Sequence, residues 1–99
     1  MTNERVTVVA RVRAKAGLEE VVKFALLQMV ADTREEEGCL NYDLHQSADD
    51  PALFLFYENW TNREHLQRHA ASPHIQAFRA KAADLLAEPT EITLWNMIS

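Results

Sequence analysis

Apolar residues recur at period two, then at a helical period, then at period two again, and this rhythm divides the chain into elements. Val6 to Val12 reads Val-Thr-Val-Val-Ala-Arg-Val. Val6, Val8, Ala10 and Val12 share one face of an extended chain, with Thr7, Val9 and Arg11 opposite, which predicts a strand. Ala14 to Gly17 is a turn. From Leu18 to Glu36 the spacing changes. Leu18, Val21, Val22, Ala25, Leu26 and Met29 fall at i, i+3, i+4, i+7, i+8 and i+11, one stripe of a helix. Glu19 and Glu20 sit in its first turn, where the helix dipole favours acids. Gly38 stops it as a left-handed residue after the last turn. The run Glu35-Glu36-Glu37 lies at the negative end of that dipole and reads as a solvated surface.

Cys39 to Gln46 alternates again, with Leu40, Tyr42 and Leu44 on one side and Asn41, Asp43 and His45 on the other. Ser47 to Pro51 is built of turn-forming residues. Leu53 to Trp60 is then a strand, apolar and aromatic on both faces, so the pair makes an antiparallel hairpin. Thr61-Asn-Arg-Glu64 has the form of a capping box opening a short helix to about Ala70. Ser72 and Pro73 restart it as N-cap and first helical residue. Ile75, Phe78, Ala82 and Leu85 are its apolar stripe, Glu88-Pro89 ends it, and Thr90 to Ile98 closes the chain as a fourth strand.

The order β-α-β-β-(αα)-β predicts a single α+β domain over residues 1–99 of ferredoxin-like βαββαβ type. Both helical stretches should lie on one face of a four-stranded antiparallel sheet. The opposite parity carries Val9, Leu53, Leu55, Tyr57, Trp95 and Met97. That many large apolar groups exceed what a monomer usually leaves wet, so a homodimer packed sheet to sheet is expected.

Composition changes this picture only by exclusion. The net charge is −5 and the ten Lys and Arg are scattered, so there is no basic stripe to displace counterions and no nucleic-acid partner is expected. No run approaches the roughly 20 apolar residues of a membrane helix. The N-terminus lacks a basic and then apolar leader. Cys39 is the only cysteine, so no internal disulfide forms, which fits a reducing cytoplasm.

Candidate chemistry centres on the histidines. His65 and His69 stand four apart on a helix, a chelating spacing, but Glu64-His65-x-x-x-His69 is not the zinc-protease order and lacks a convincing third ligand. No metal is therefore expected. His69 and His74 flank the junction of the two helical pieces. Each is either an acid–base group for a phenol or a junction histidine bonded to a carbonyl. Phe54, Phe56, Glu58 and Trp60 share the face under the helices with Tyr42. A carboxylate there is desolvated and its pKa raised, so Glu58 is either a poised base or a structural acceptor. The Trp60 indole is either core or an anchor for a polar aromatic ligand. Cys39 has no neighbouring His or Lys to activate it.

The segments Glu36-Glu-Gly-Cys-Leu-Asn-Tyr42, Tyr57-Glu-Asn-Trp60, His65-Leu-Gln-Arg-His69 and Ser72-Pro-His74 resemble the antibiotic biosynthesis monooxygenase domain, and within it the quinol monooxygenase branch. The resemblance runs from about Val6 to Ile98. It implies a dimeric α/β barrel with a pocket between sheet and helices. It also implies oxidation of a small quinol or polyphenol by dioxygen, with no cofactor. His69, His74 and Glu58 would then be catalytic, and Tyr42, Phe54, Phe56 and Trp60 would hold the substrate. A sister branch isomerises a phosphorylated dicarbonyl, and other members have no demonstrated catalysis, so an isomerase and a small-ligand-binding dimer are the alternatives. A haem-degrading branch uses an Asn on strand one with a Trp and a His on the helices. Val8, His69 and Arg79 stand at or near those positions, so that set is not matched.

Overall fold

The structure, a computed structural model, describes residues 4–99. They form, in chain order, β1 (Val6–Arg13), α1 (Glu19–Arg34), β2 (Cys39–Gln46), β3 (Leu53–Trp60), α2 (Arg63–Ala70), α3 (Pro73–Leu85) and β4 (Glu91–Trp95). The strands build one antiparallel sheet in the order β2-β3-β1-β4. This is the ferredoxin-like arrangement expected from the periodicity. No helix among the described residues is long and apolar enough to cross a membrane.

The period-two faces fold as read. Val6, Val8, Ala10 and Val12 are all buried, as are Phe54, Phe56, Glu58 and Trp60 beside them on β3 and Tyr42 on β2. Val8 pairs with Glu58 and Tyr42 pairs with the same residue from the other side. Against this face α1 lays Val22, Leu26, Met29, Val30 and Thr33. α3 contributes Ile75.

Four details differ from the sequence reading. Val21 is 52% exposed and belongs with Phe24 and Leu27 to a second apolar line that faces away from the core. A helix presents only about a 100° arc to a sheet, and the apolar arc of α1 is wider than that. α1 ends at Arg34, so the three acids follow the helix and shape the turn into β2. The cap of α2 is Asn62, whose side chain accepts from the His65 amide at 2.9 Å. Thr61 is one residue too early and meets the His65 ring instead. Lastly, β4 stops at Trp95, which pairs with Thr7. Beyond it only one residue of β1, Val6, is left to pair with.

β4 also lies past the reach of the helices. Ile92 and Leu94 pair with Ala10 and Val8 and so share the inner face, yet they are 52% and 41% exposed. That open edge becomes the mouth of a cavity. On the outer face, Tyr57 and Trp95 are exposed, while Val9, Leu53 and Leu55 are half-buried; Met97, expected on that face, lies beyond the end of β4 and is exposed.

Gly38, at the turn into β2, has φ +84°. A Cβ there would run into the ring and Cβ of His65. Gly17 has a similar φ of +87° but open space around it. Gly17→Ala is therefore expected to cost only the left-handed strain, about 1–2 kcal/mol. Gly38→Ala should cost clearly more, because a packed ring must also move. Urea unfolding of both variants checks this; equal losses would contradict it.

Candidate functional site

Between the inner face of the sheet and the helices lies a cavity of about 560 Å³. Its floor is apolar, from Val8, Ala10 and Val12 on β1 and Phe56 on β3. Its roof comes from Leu66 and His69 on α2 and from Ile75, Phe78 and Arg79 on α3. Pro89, Thr90 and Ile92 border it where β4 emerges from under the helices. α2 and α3 are separate helices because Pro73 begins a new one. The Ser72 hydroxyl closes the corner by donating to the His69 carbonyl at 2.7 Å.

Of the residues singled out from the sequence, Tyr42, Phe56, Glu58 and His69 line this cavity. Phe54 and Trp60 do not. They are 1% and 0% exposed and fill the core beside it. Trp60 acts through its neighbour: its indole N–H donates to Glu58 Oε1 at 2.9 Å. His74 also stands outside the lining, in the first turn of α3, and turns toward Glu36.

Glu58 is 3% exposed among aromatic rings. Burial pushes its carboxyl up to about 7, against the opposing pull of the Trp60 hydrogen bond. His69 lies edge-on to Tyr42, with ring centroids 5.3 Å apart, and tilted over Trp60 at 4.7 Å. Burial lowers its pKa, with the Glu36 hydrogen bond opposing. The Tyr42 phenol is raised by burial, so it stays neutral, and it donates to Met29 Sδ at 3.4 Å. The cavity thus holds one carboxyl raised toward neutrality and one imidazole whose lowered pKa leaves it a free base at neutral pH, in a setting where few other polar atoms compete.

Glu36 is the residue the sequence reading missed. Its Oε2 lies 2.8 Å from His69 Nδ1 and 3.0 Å from His74 Nε2. The carboxylate therefore accepts from Nδ1–H of His69 and leaves Nε2 as the free, basic nitrogen. Among the described residues no fully buried side-chain nitrogen or oxygen lacks a partner, so Nε2 is not sealed off, and His69 lines the cavity. A signal did exist: an acid just past a helix C-terminus, where the dipole disfavours it, needs a local cation or donor. His65 takes no part. Its Nδ1 meets Thr61 Oγ1 at 2.6 Å, and its Nε2 lies 3.8 Å from Glu37, so the four-residue spacing of His65 and His69 does not make them converge. The Cys39 thiol is pushed up to about 11, chiefly by burial, which removes it as a nucleophile.

Known proteins share this fold. Residues 5–81 match the family described as antibiotic biosynthesis monooxygenase. The protein named "Putative monooxygenase Rv0793" of Mycobacterium tuberculosis is 37% identical over 89 residues, which cover 90% of this chain and 87% of that protein. Its solved structure superposes with a TM-score of 0.89 at 32% identity, covering 96% of each chain. The crystal structure of PA3566 from Pseudomonas aeruginosa has a TM-score of 0.93 at 31% identity, covering 100% of this chain and 99% of its own. "Putative monooxygenase YcnE" of Bacillus subtilis is 28% identical over 83 residues, covering 84% of this chain and 87% of that protein.

Proposed function

The chain belongs to the antibiotic biosynthesis monooxygenase family, and from that premise we propose that it oxidises a small quinol or polyphenol with dioxygen. The observation that carries this reading is the cavity's composition: an apolar aromatic floor around one imidazole, whose pKa burial lowers so that it is the free base at neutral pH, and one carboxyl that burial raises to about 7. At about 560 Å³ it is of small-molecule size. His69 Nε2 takes the proton of a phenolic hydroxyl. The resulting anion, held in an apolar site, is electron-rich enough to reduce dioxygen itself, so the chemistry asks for no flavin, haem or metal. Glu58 exchanges the second proton, and Tyr42 and Phe56 flank the ring. Phe54, Trp60 and His74 support the site from outside it.

An isomerase of a phosphorylated dicarbonyl fits the lining less well. Among the described lining residues Arg79 is the only Lys or Arg, and it also donates to the Ala70 carbonyl at 3.3 Å. A phosphate seeks more cations or backbone amides than that. Oxygen uptake by purified protein with menadiol, corrected for autoxidation, tests the choice. Uptake without added cofactor is the expected result. Its absence, with conversion of a phosphorylated dicarbonyl instead, would make the isomerase reading correct. Binding without either reaction would make the chain a ligand-binding module.

The proposal includes a homodimer in the cytoplasm. Tyr57 and Trp95, exposed by 40% and 56% on the outer face of the sheet, support association of that face with a second copy. Light scattering at micromolar concentration is expected to give about twice the 11.3 kDa chain mass. A stable monomer would sink this part of the reading.

A further inference from the structure

We propose that Glu36, His69 and His74 form a binding site for a first-row divalent transition metal ion of the zinc or ferrous class. The three donors come from different places in the fold: the turn after α1, the last turn of α2 and the first turn of α3. They nevertheless meet. Glu36 Oε2 is 2.8 Å from His69 Nδ1 and 3.0 Å from His74 Nε2, and the three ligand atoms lie within 4.8 Å of one another. Adjacent donors around such an ion, with bonds of roughly 2.0–2.2 Å, stand roughly 3 Å apart. Two imidazoles and one carboxylate are the donor set of His₂Glu zinc sites and of the two-histidine, one-carboxylate iron sites.

A second observation points the same way. His74 Nε2 has three oxygens around it: Glu36 Oε2 at 3.0 Å, Thr33 Oγ1 at 3.1 Å and Ser72 Oγ at 3.4 Å. A ring nitrogen offers one proton or one lone pair, so it cannot serve all three. A cation beside it would be shared by the whole group, with the two hydroxyls orienting the ligands. The Glu36 and His74 side chains keep 18% and 20% of their exposure, so an ion can enter and water can complete its shell. Neither residue lines the cavity. The ion would therefore stand behind His69 and outside the space of a substrate.

His65 and His69 by themselves lack a third ligand, which is why the sequence predicts no metal. This trio excludes His65 and takes Glu36 and His74 in its place. The site also bears on the cavity. With Glu36 accepting from Nδ1–H, His69 offers a lone pair at Nε2; with a metal on Nδ1, the neutral ring carries its proton at Nε2 and becomes a donor. This consequence rests on the proposed base role of His69, whereas metal binding itself does not.

The test is a titration of tag-free, chelator-treated protein with cobalt(II) chloride, without substrate. The expected result is visible ligand-field bands that saturate at a stoichiometric ion, a rise in Tm, and displacement by zinc(II). Affinity should fall by at least about tenfold in Glu36→Gln and in His74→Ala, while His45→Ala, on the exposed end of β2, should bind as the parent does. Circular dichroism checks the fold of each variant. Should Glu36→Gln not fold, His74→Ala at its partly exposed position decides alone. No bands and no thermal shift at millimolar cobalt, or undiminished binding in the folded variants, would overturn the proposal. Oxygen uptake with menadiol is scored separately, so failure of either reading leaves the other standing on its own result.

Discussion

His69→Ala is expected to lower cofactor-free oxygen uptake with menadiol by about 10²–10⁴-fold, the usual cost of losing a positioned general base. The imidazole is held for that role from both sides. Glu36 engages Nδ1 at 2.8 Å, and Tyr42 and Trp60 pack against the ring at centroid distances of 5.3 and 4.7 Å. Rotation of the ring, the commonest way to lose a base, is therefore blocked. Burial lowers its pKa, so at neutral pH it is the free base. Alanine leaves a gap between two aromatic rings, and some stability is lost with it. The measurement must separate the two effects. Substrate affinity and circular dichroism should change little, while turnover collapses. Added imidazole, small enough for the vacated space, should restore part of the rate. A folded variant that turns over at the parent's rate would remove His69 from the mechanism.

Glu58→Gln is expected to make the protein more stable at pH 8 and to leave it almost unchanged at pH 4. Burial raises the Glu58 carboxyl from its ordinary 4.5 to about 7. The folded state therefore binds this proton more tightly than the unfolded chain does. Below pH 4.5 both states hold it, and the site carries no penalty. Between 4.5 and 7 the unfolded chain ionises first, so stability falls as pH rises. At roughly 1.4 kcal/mol per pH unit this amounts to about 3 kcal/mol, complete above pH 7. Glutamine keeps an oxygen for the Trp60 indole, which now donates to Glu58 Oε1 at 2.9 Å, and cannot ionise. His69 works in the opposite direction. Its lowered pKa contributes stability that is present above its ordinary 6.5 and is lost as pH falls toward the folded value. The difference between parent and Glu58→Gln, measured by urea unfolding from pH 4 to 8, isolates the carboxyl. A difference that does not grow with pH would show that Glu58 is solvated.

The strands and helices of this chain are legible in its residues because their causes are local. Val6, Val8, Ala10 and Val12 alternate, and their burial follows from period two whatever else the fold does. The same holds for Phe54, Phe56, Glu58 and Trp60, and the fold type follows from the order of such elements. Parity even places Glu58 on the face under the helices. It cannot tell which residues of a face line a space and which fill the core. Phe54 and Trp60 share the face of Phe56 and Glu58 yet stand outside the cavity, because that distinction depends on where α2 and α3 happen to lie. The extent of β4 and the exposure of Val21 are likewise decided by the reach of neighbours distant in sequence.

Glu36 shows the limit most sharply. In the sequence it is the middle of three acids before a glycine. In the fold it is 33 residues from His69 and 38 from His74 and binds both. A carboxylate's role is set by the donors that reach it in space, and spacing along the chain does not reveal them. Residue type and spacing determined the sheet, the helices and the pool of polar groups. Only the crossing of α1, α2 and α3 over that sheet decided which of those groups share a proton.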